Sequence, residues 1–217
     1  SKSQTFALNG DANDEVKLSY STTQTLNAVA ITGLNEYPTI TVEKTLSAVD
    51  TTLGTITGAT YAAEARARST FNALLLFSDQ DADDITLTFS TPRPTGFRTV
   101  FAGSLAFQPT TNFQRGVGFV DASEFTEIDT RSSSYSQIDS RLRGFNPQML
   151  DLSESEYFDV NHSKYQIGDG VCLVVLDTSN THPEWWMLAK CLGGSSTLSG
   201  ANNNMQSLQF MEANKWL

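Results

Sequence analysis

The chain has 217 residues, 39% of them hydrophobic and 10% aromatic, which is enough for a sizeable core and too apolar for a disordered segment. Fourteen basic against 24 acidic side chains leave a formal charge of −10, which repels nucleic-acid backbone and anionic lipid, so neither is expected as a tight ligand. No run approaches ~18 apolar residues and Ser1–Phe6 has no apolar h-region, so a soluble chain without membrane span or export signal is expected.

In chain order, Phe6-Ala7-Leu8 opens a short strand that ends in the polar turn 9–14. Val16–Ser21 alternates with period 2, as a half-exposed strand does. Leu26–Thr32 and Ile40–Leu46 read as two more strands, split by Gly33–Pro38, and 47–59 reads as an irregular Thr- and Gly-rich stretch. Tyr61–Asn72 is the one helix this reading predicts, because its alanines are strong helix formers and Thr60 is placed to cap it. Leu74–Phe77 either ends that helix or begins a buried strand. The acidic run Asp79–Asp84 reads as a turn before the alternating strand Ile85–Phe89. Phe97–Phe107 returns as a long strand with a break at Gly103, and Val117–Val120 is a further short strand. Asp129–Gln148 is Ser-rich and has no period, so it reads as a long polar loop of the functional or mobile kind. Tyr157–Ile167 leads into a hairpin, and Met205–Trp216 is the last strand. No repeat and no interdomain linker interrupts the chain, so a single domain over 1–217 is expected.

The hairpin is the clearest signal. Val171–Leu176 and Trp185–Leu192 are β-rich runs bounded by Gly168-Asp169-Gly170 and Gly193-Gly194, with a polar Pro-containing loop between them. The first arm is apolar at every position, which predicts cover on both faces and a place at the centre of the core. Symmetric folding sets Cys172 opposite Cys191 at cross-strand spacing. Either a disulfide or a pair of buried free thiols fits, and without an export signal the free thiols are favoured.

The candidate chemistry is sparse. Asp79, Asp81 and Asp83 alternate as calcium-loop ligands do, but Asp84 stands where such a loop needs Gly and Ser90 where it needs Glu. A solvated acidic turn is the better reading, and the same holds for Asp11, Asp14 and Glu15. His162, His182, Cys172 and Cys191 are the residue types of a zinc site without its spacing. A Cys172–His182–Asp177 nucleophilic set would need a reactive thiol in mid-strand. Gly-x-Ser-x-Gly, phosphate-binding glycine loops and His-Glu-x-x-His are all missing, so neither an enzyme nor a cofactor or metal site is expected. Trp185 and Trp186 point to opposite faces of their strand, leaving one of them for a sugar, a subunit contact or a covering loop.

The fold class expected is mainly β: an antiparallel β-sandwich or barrel-like domain with one short α-helix. The order of its elements resembles the major tail-tube proteins of long-tailed bacteriophages, on the strand series with a helix at Tyr61–Asn72, the pair Ile85–Phe89 and Phe97–Phe107, and the final strand Met205–Trp216. That resemblance implies a non-enzymatic virion subunit that assembles with itself and with other virion proteins in the host cytoplasm, around a channel whose acidic wall lets DNA slide. The Ser-rich insertion at 129–148 departs from the family pattern. The rivals are a jelly-roll capsid protein, which commonly carries a basic arm not seen here, and a glycan- or surface-binding β-sandwich module. For subunit contacts or binding the candidates are Arg66, Arg68, Arg141, Arg143, Trp185 and Trp216. Thr86 and Thr88, at alternate positions of one strand, are the expected polar face.

Overall fold

A computed structural model of the chain describes residues 6–7, 14–57, 62–63, 71–90, 94, 96–105, 117–121, 124–129, 134–140, 143–168, 170–176, 186–198 and 204–213. The fold is mainly β and antiparallel, with one α-helix among the described residues. Its strands are β1 (Phe6–Ala7), β2 (Asp14–Leu34), β3 (Ile40–Leu46), β4 (Val49–Ile56), β5 (Ala62–Ala63), β6 (Phe71–Phe89), β7 (Gly96–Phe97), β8 (Thr99–Gly103), β9 (Val117–Asp121), β10 (Glu124–Asp129), β11 (Ser134–Ser140), β12 (Arg143–Leu152), β13 (Val171–Val175), β14 (Trp186–Thr197) and β15 (Asn204–Glu212). The helix, α1, spans Glu154–Ile167. Two compact units emerge, one made of Lys2–Leu105 with Val175–Trp186, the other of Ala106–Val174 with Met187–Trp216.

In the first unit six strands are ordered β4-β3-β6-β2-β8, with β5 also pairing β6, and the sheet curves as half a barrel. Strand β2, of 21 residues, joins the two segments expected as separate strands, and β6, of 19 residues, runs straight through the acidic stretch expected as a turn. The core lies here: Val29, Ile31, Ile40, Val42, Ile85, Leu87 and Phe89 are buried together. Ile85, Leu87 and Phe89 alternate with half-exposed Thr86 and Thr88, which is the period-2 pattern of a strand wet on one side. The expected helix at Tyr61–Asn72 is not formed at its described ends, since Ala62 pairs with Asn72 and Ala63 with Phe71 as β-strands; positions 64–70 lie outside the described residues. Tertiary pairing overrides alanine's helix propensity there. The irregular stretch expected at 47–59 contains β4, which closes a hairpin with β3.

The second unit holds a five-stranded sheet, β13-β14-β15-β12-β9, and the pair β10-β11. The stretch expected as a loop at 129–148 instead closes β10 and supplies β11 and the first half of β12. β15 alternates cleanly: Asn204, Gln206, Leu208, Phe210 and Glu212 are buried, and the residues between them are exposed or half-buried. α1 packs on β12 and β15, where the Asn161 amide donates to Gln206 Oε1 at 3.4 Å. A capping box starts this helix. The Glu156 amide donates to Ser153 Oγ at 3.2 Å, and the Ser153 amide donates to Glu156 Oε2 at 3.0 Å. Gly168 ends it at φ +51. The hairpin β13/β14 is present, but β13 is an edge strand and half-buried at every residue, so it is not the centre of the core. An edge position leaves one side of a strand unpaired whatever its composition.

The polar face of the six-stranded sheet as candidate functional site

Register alone builds the site. Opposite residues of antiparallel strands share a face, and the ladders of β4, β3, β6 and β2 line up three polar rows. The first row is Thr55, Thr41, Thr88 and Glu15; the second is Thr52, Glu43, Thr86 and Lys17; the third is Asp50, Thr45, Asp84 and Ser19. Rows of the opposite face fall between them, such as Gly54, Val42, Leu87 and Val16. None of the twelve polar side chains is buried. One of them, Lys17, is a cation, against four carboxylates. Thr86 and Thr88 therefore sit in the middle of this face.

Three of the four carboxylates are held by hydroxyl groups. Thr45 Oγ1 donates to Asp50 Oδ1 at 2.6 Å, and Thr52 Oγ1 to Glu43 Oε1 at 3.1 Å. Lys17 Nζ is 3.0 Å from Asp84 Oδ2. The Ser19 hydroxyl, followed by Lys17, keeps Asp84 below the ordinary carboxylate range. Farther along β6 a second set repeats the pattern with donors from β2. Asn27 Nδ2 donates to Asp79 Oδ1 at 2.9 Å, Thr25 Oγ1 to Asp81 Oδ1 at 2.6 Å, and Thr23 Oγ1 to Asp83 Oδ1 at 2.5 Å. Asp83 is likewise held below its usual value, first by Thr23 and then by the Ser47 amide. This is why an acid-rich run lies quietly in a long strand: each carboxylate meets a donor on the next strand. The arrangement presents fixed negative charge and hydroxyl groups to water, and it repels polyanions.

Most of the residues singled out from sequence lie elsewhere. Arg66, Arg68, Arg141, Trp185 and Trp216 are outside the described residues, as are Asp177 and His182; Arg143 is described only as the β12 position opposite Asp121. His162 is exposed on α1, while Cys172 and Cys191 are free thiols on β13 and β14. Among the described residues no three His, Cys, Asp or Glu side chains converge as a metal site, and no helix is long and apolar enough to cross a membrane. Sequence reasoning missed Thr23, Thr25, Asn27, Thr41, Thr45, Thr52 and Thr55. For Thr41 and Thr45 the signal was their even spacing along the strand Ile40–Leu46, which puts both on one face; Thr52 and Thr55 were hidden by reading 47–59 as irregular, and nothing local marked Thr23, Thr25 or Asn27. No protein-family model matches the chain, and no curated protein or solved structure gives a significant match to it.

Proposed function

We propose that this chain is a non-enzymatic structural subunit that assembles with copies of itself, as a virion component of the tail-tube kind. The observation that carries the reading is the six-stranded half-barrel, whose edge strands β4 and β8 have no partner on their outer sides among the described residues. A curved sheet with two open edges is completed when those edges pair or are covered, and copies of the same chain supply matching edges. The polar rows suit such an assembly, because a wall of fixed carboxylates and hydroxyls lets a polyanion pass without holding it. Copies of itself and other virion proteins are the partners in this reading, the virion is its location, and no cofactor takes part.

Size-exclusion mass at two concentrations, followed by negative-stain imaging, tests it. Rings or tubes are expected. Closed shells would transfer the assignment to a capsid protein. A monomer that persists at both concentrations would remove the assembly reading, and binding on a glycan array would then make the chain a surface-recognition module.

A further inference from the structure

Cys172 and Cys191 stand on neighbouring strands, β13 and β14, and both are free and half-buried. The Cys172 thiol points across the pair, its Sγ 3.4 Å from the Ala189 carbonyl oxygen. Cys191 is two residues along β14 from the Ala189 carbonyl that Cys172 meets, near enough for its charge to act on the Cys172 thiol. Cys191 also sits at a break in its ladder. It is paired with Phe210 and Gly193 with Gln209, so Leu192 is an extra residue, extruded to 48% exposure. Gly193 completes the bulge at φ +136 with open space beside its Cα, and the Cys191 thiol is 3.8 Å from the Gly193 carbonyl oxygen. Bulges loosen the local ladder and re-aim side chains, and they gather beside working groups.

We propose that Cys172 and Cys191 form a reversible dithiol–disulfide site that, when oxidised, staples the edge strand β13 to β14. The oxidant class is a low-molecular-weight disulfide, such as oxidised glutathione. The Cys191 thiolate attacks one sulfur of that disulfide, forming a mixed disulfide and expelling one glutathione thiolate. Cys172 then gives up its proton and attacks the Cys191 sulfur, which expels the second glutathione thiolate. The two cysteines lose two protons and two electrons in all, and the external disulfide takes up both as two thiols. The order of attack follows from the surroundings. Burial, with the neighbouring Cys191 charge adding to it, pushes the Cys172 thiol up to about 11, so it is protonated at neutral pH and attacks only once its target is held beside it. This site does not rest on the assembly reading and is tested on the separate subunit.

The full chain is incubated with oxidised glutathione in native buffer at neutral pH, alkylated, and mapped by non-reducing peptide mass spectrometry. The expected product is one Cys172–Cys191 cross-linked peptide pair in monomeric protein, reversed by dithiothreitol, with slower hydrogen exchange of the β13 amides. Cys172→Ser should stall with glutathione on Cys191, and Cys191→Ser should consume oxidised glutathione at least about tenfold more slowly than the parent chain. Thiols that both stay free, disulfides formed only between chains, or a Cys191→Ser chain that reacts as fast as the parent would each overturn the proposal.

Discussion

The Asp83 carboxylate accepts a hydrogen bond from the Ser47 amide at 2.9 Å, and so ties β6 to the tip of the β3/β4 hairpin. That tip needs a tie. Ser47 and Ala48 form a two-residue turn between paired Leu46 and Val49, and both have positive φ, +51° and +62°. Such turns favour Asn-Gly because a Cβ is strained in the left-handed region. The other Asp83 oxygen takes the Thr23 hydroxyl, at the point where β2 shifts register between Ser19 and Gln24. One carboxylate therefore fixes two irregularities of the sheet.

An acid-dependent loosening of this hairpin follows, with a definite sign. The folded pKa of Asp83 lies below its ordinary value of 3.8, so the carboxylate stabilises the fold above that value and the contribution is lost as pH falls through the lower folded value. Asp84, the next residue on β6, is the charge that acts on it, and it opposes the two hydrogen bonds. Asp83→Asn keeps an acceptor and loses the charge. It should melt below the parent chain at pH 6, with the gap closing toward pH 2. Hydrogen exchange at the Ser47 amide should accelerate over the same window beyond the intrinsic rate. An equal gap at both pH values would assign the destabilisation to packing.

Ala48→Gly should act in the opposite direction. Glycine accepts the left-handed conformation that alanine resists, so a gain of about 1 kcal/mol, or roughly 2–4 °C in Tm, is expected. A loss on thermal denaturation would mean that the Ala48 side chain makes a contact worth more than the strain.

Close backbone approach makes a sharper claim at Gly194. A Cβ there would run into the backbone carbonyl oxygen of Ser207 on β15, and backbone cannot swing aside as a flexible side chain can. Gly194→Ala should cost about 3 kcal/mol or more, measured by chemical denaturation. A near-neutral result would require β14 and β15 to separate locally, which hydrogen exchange at Ser195 would reveal.

The strands were legible where composition and period agreed. Ile40–Leu46 keeps its sequence bounds as β3, and Val171–Leu176 with Trp185–Leu192 forms the neighbouring pair β13/β14. Legibility failed where partners supply what a segment lacks. Asp79–Asp84 has poor strand propensity and is held in β6 by Thr23, Thr25 and Asn27, more than fifty residues away in the chain. Proline is depleted within strands, yet Pro147 lies in β12 opposite Val117. The helix α1 carries only a broken apolar stripe, Tyr157, Val160 and Ile167 with Lys164 between the last two, while Phe158 and Tyr165 lie exposed on a face with His162, so periodicity is a weak guide to it. Its ends could: Ser153, Glu156 and Gly168 spell a capping box and a stop.

Ser153 gives that point a test. Ser153→Ala removes the acceptor for the Glu156 amide and should cost about 1 kcal/mol. Glu156→Ala in addition should cost less than the sum of the two single changes, because the box is reciprocal. Additive losses would show that the two residues act separately.

The polar rows carry the last prediction, which separates a wall past which DNA moves from a surface that merely keeps the chain dissolved. Glu15 and Glu43 lie in adjacent rows of one sheet face, Glu15 exposed and Glu43 half-buried beside the Thr52 hydroxyl. Replacing both with Lys moves the face by four units of charge without touching the buried rows, so the subunit should fold with Tm within a few degrees of the parent. If the face lines a path for DNA, assembled polymers of the parent chain should leave duplex DNA free at low salt, and the double variant should retain it. The retention should weaken steeply as salt rises, because each phosphate neutralised by a lysine releases a counterion. Open-ended polymers of the variant that hold no more DNA than the parent would place this face away from any such path. The acid would then serve solubility alone.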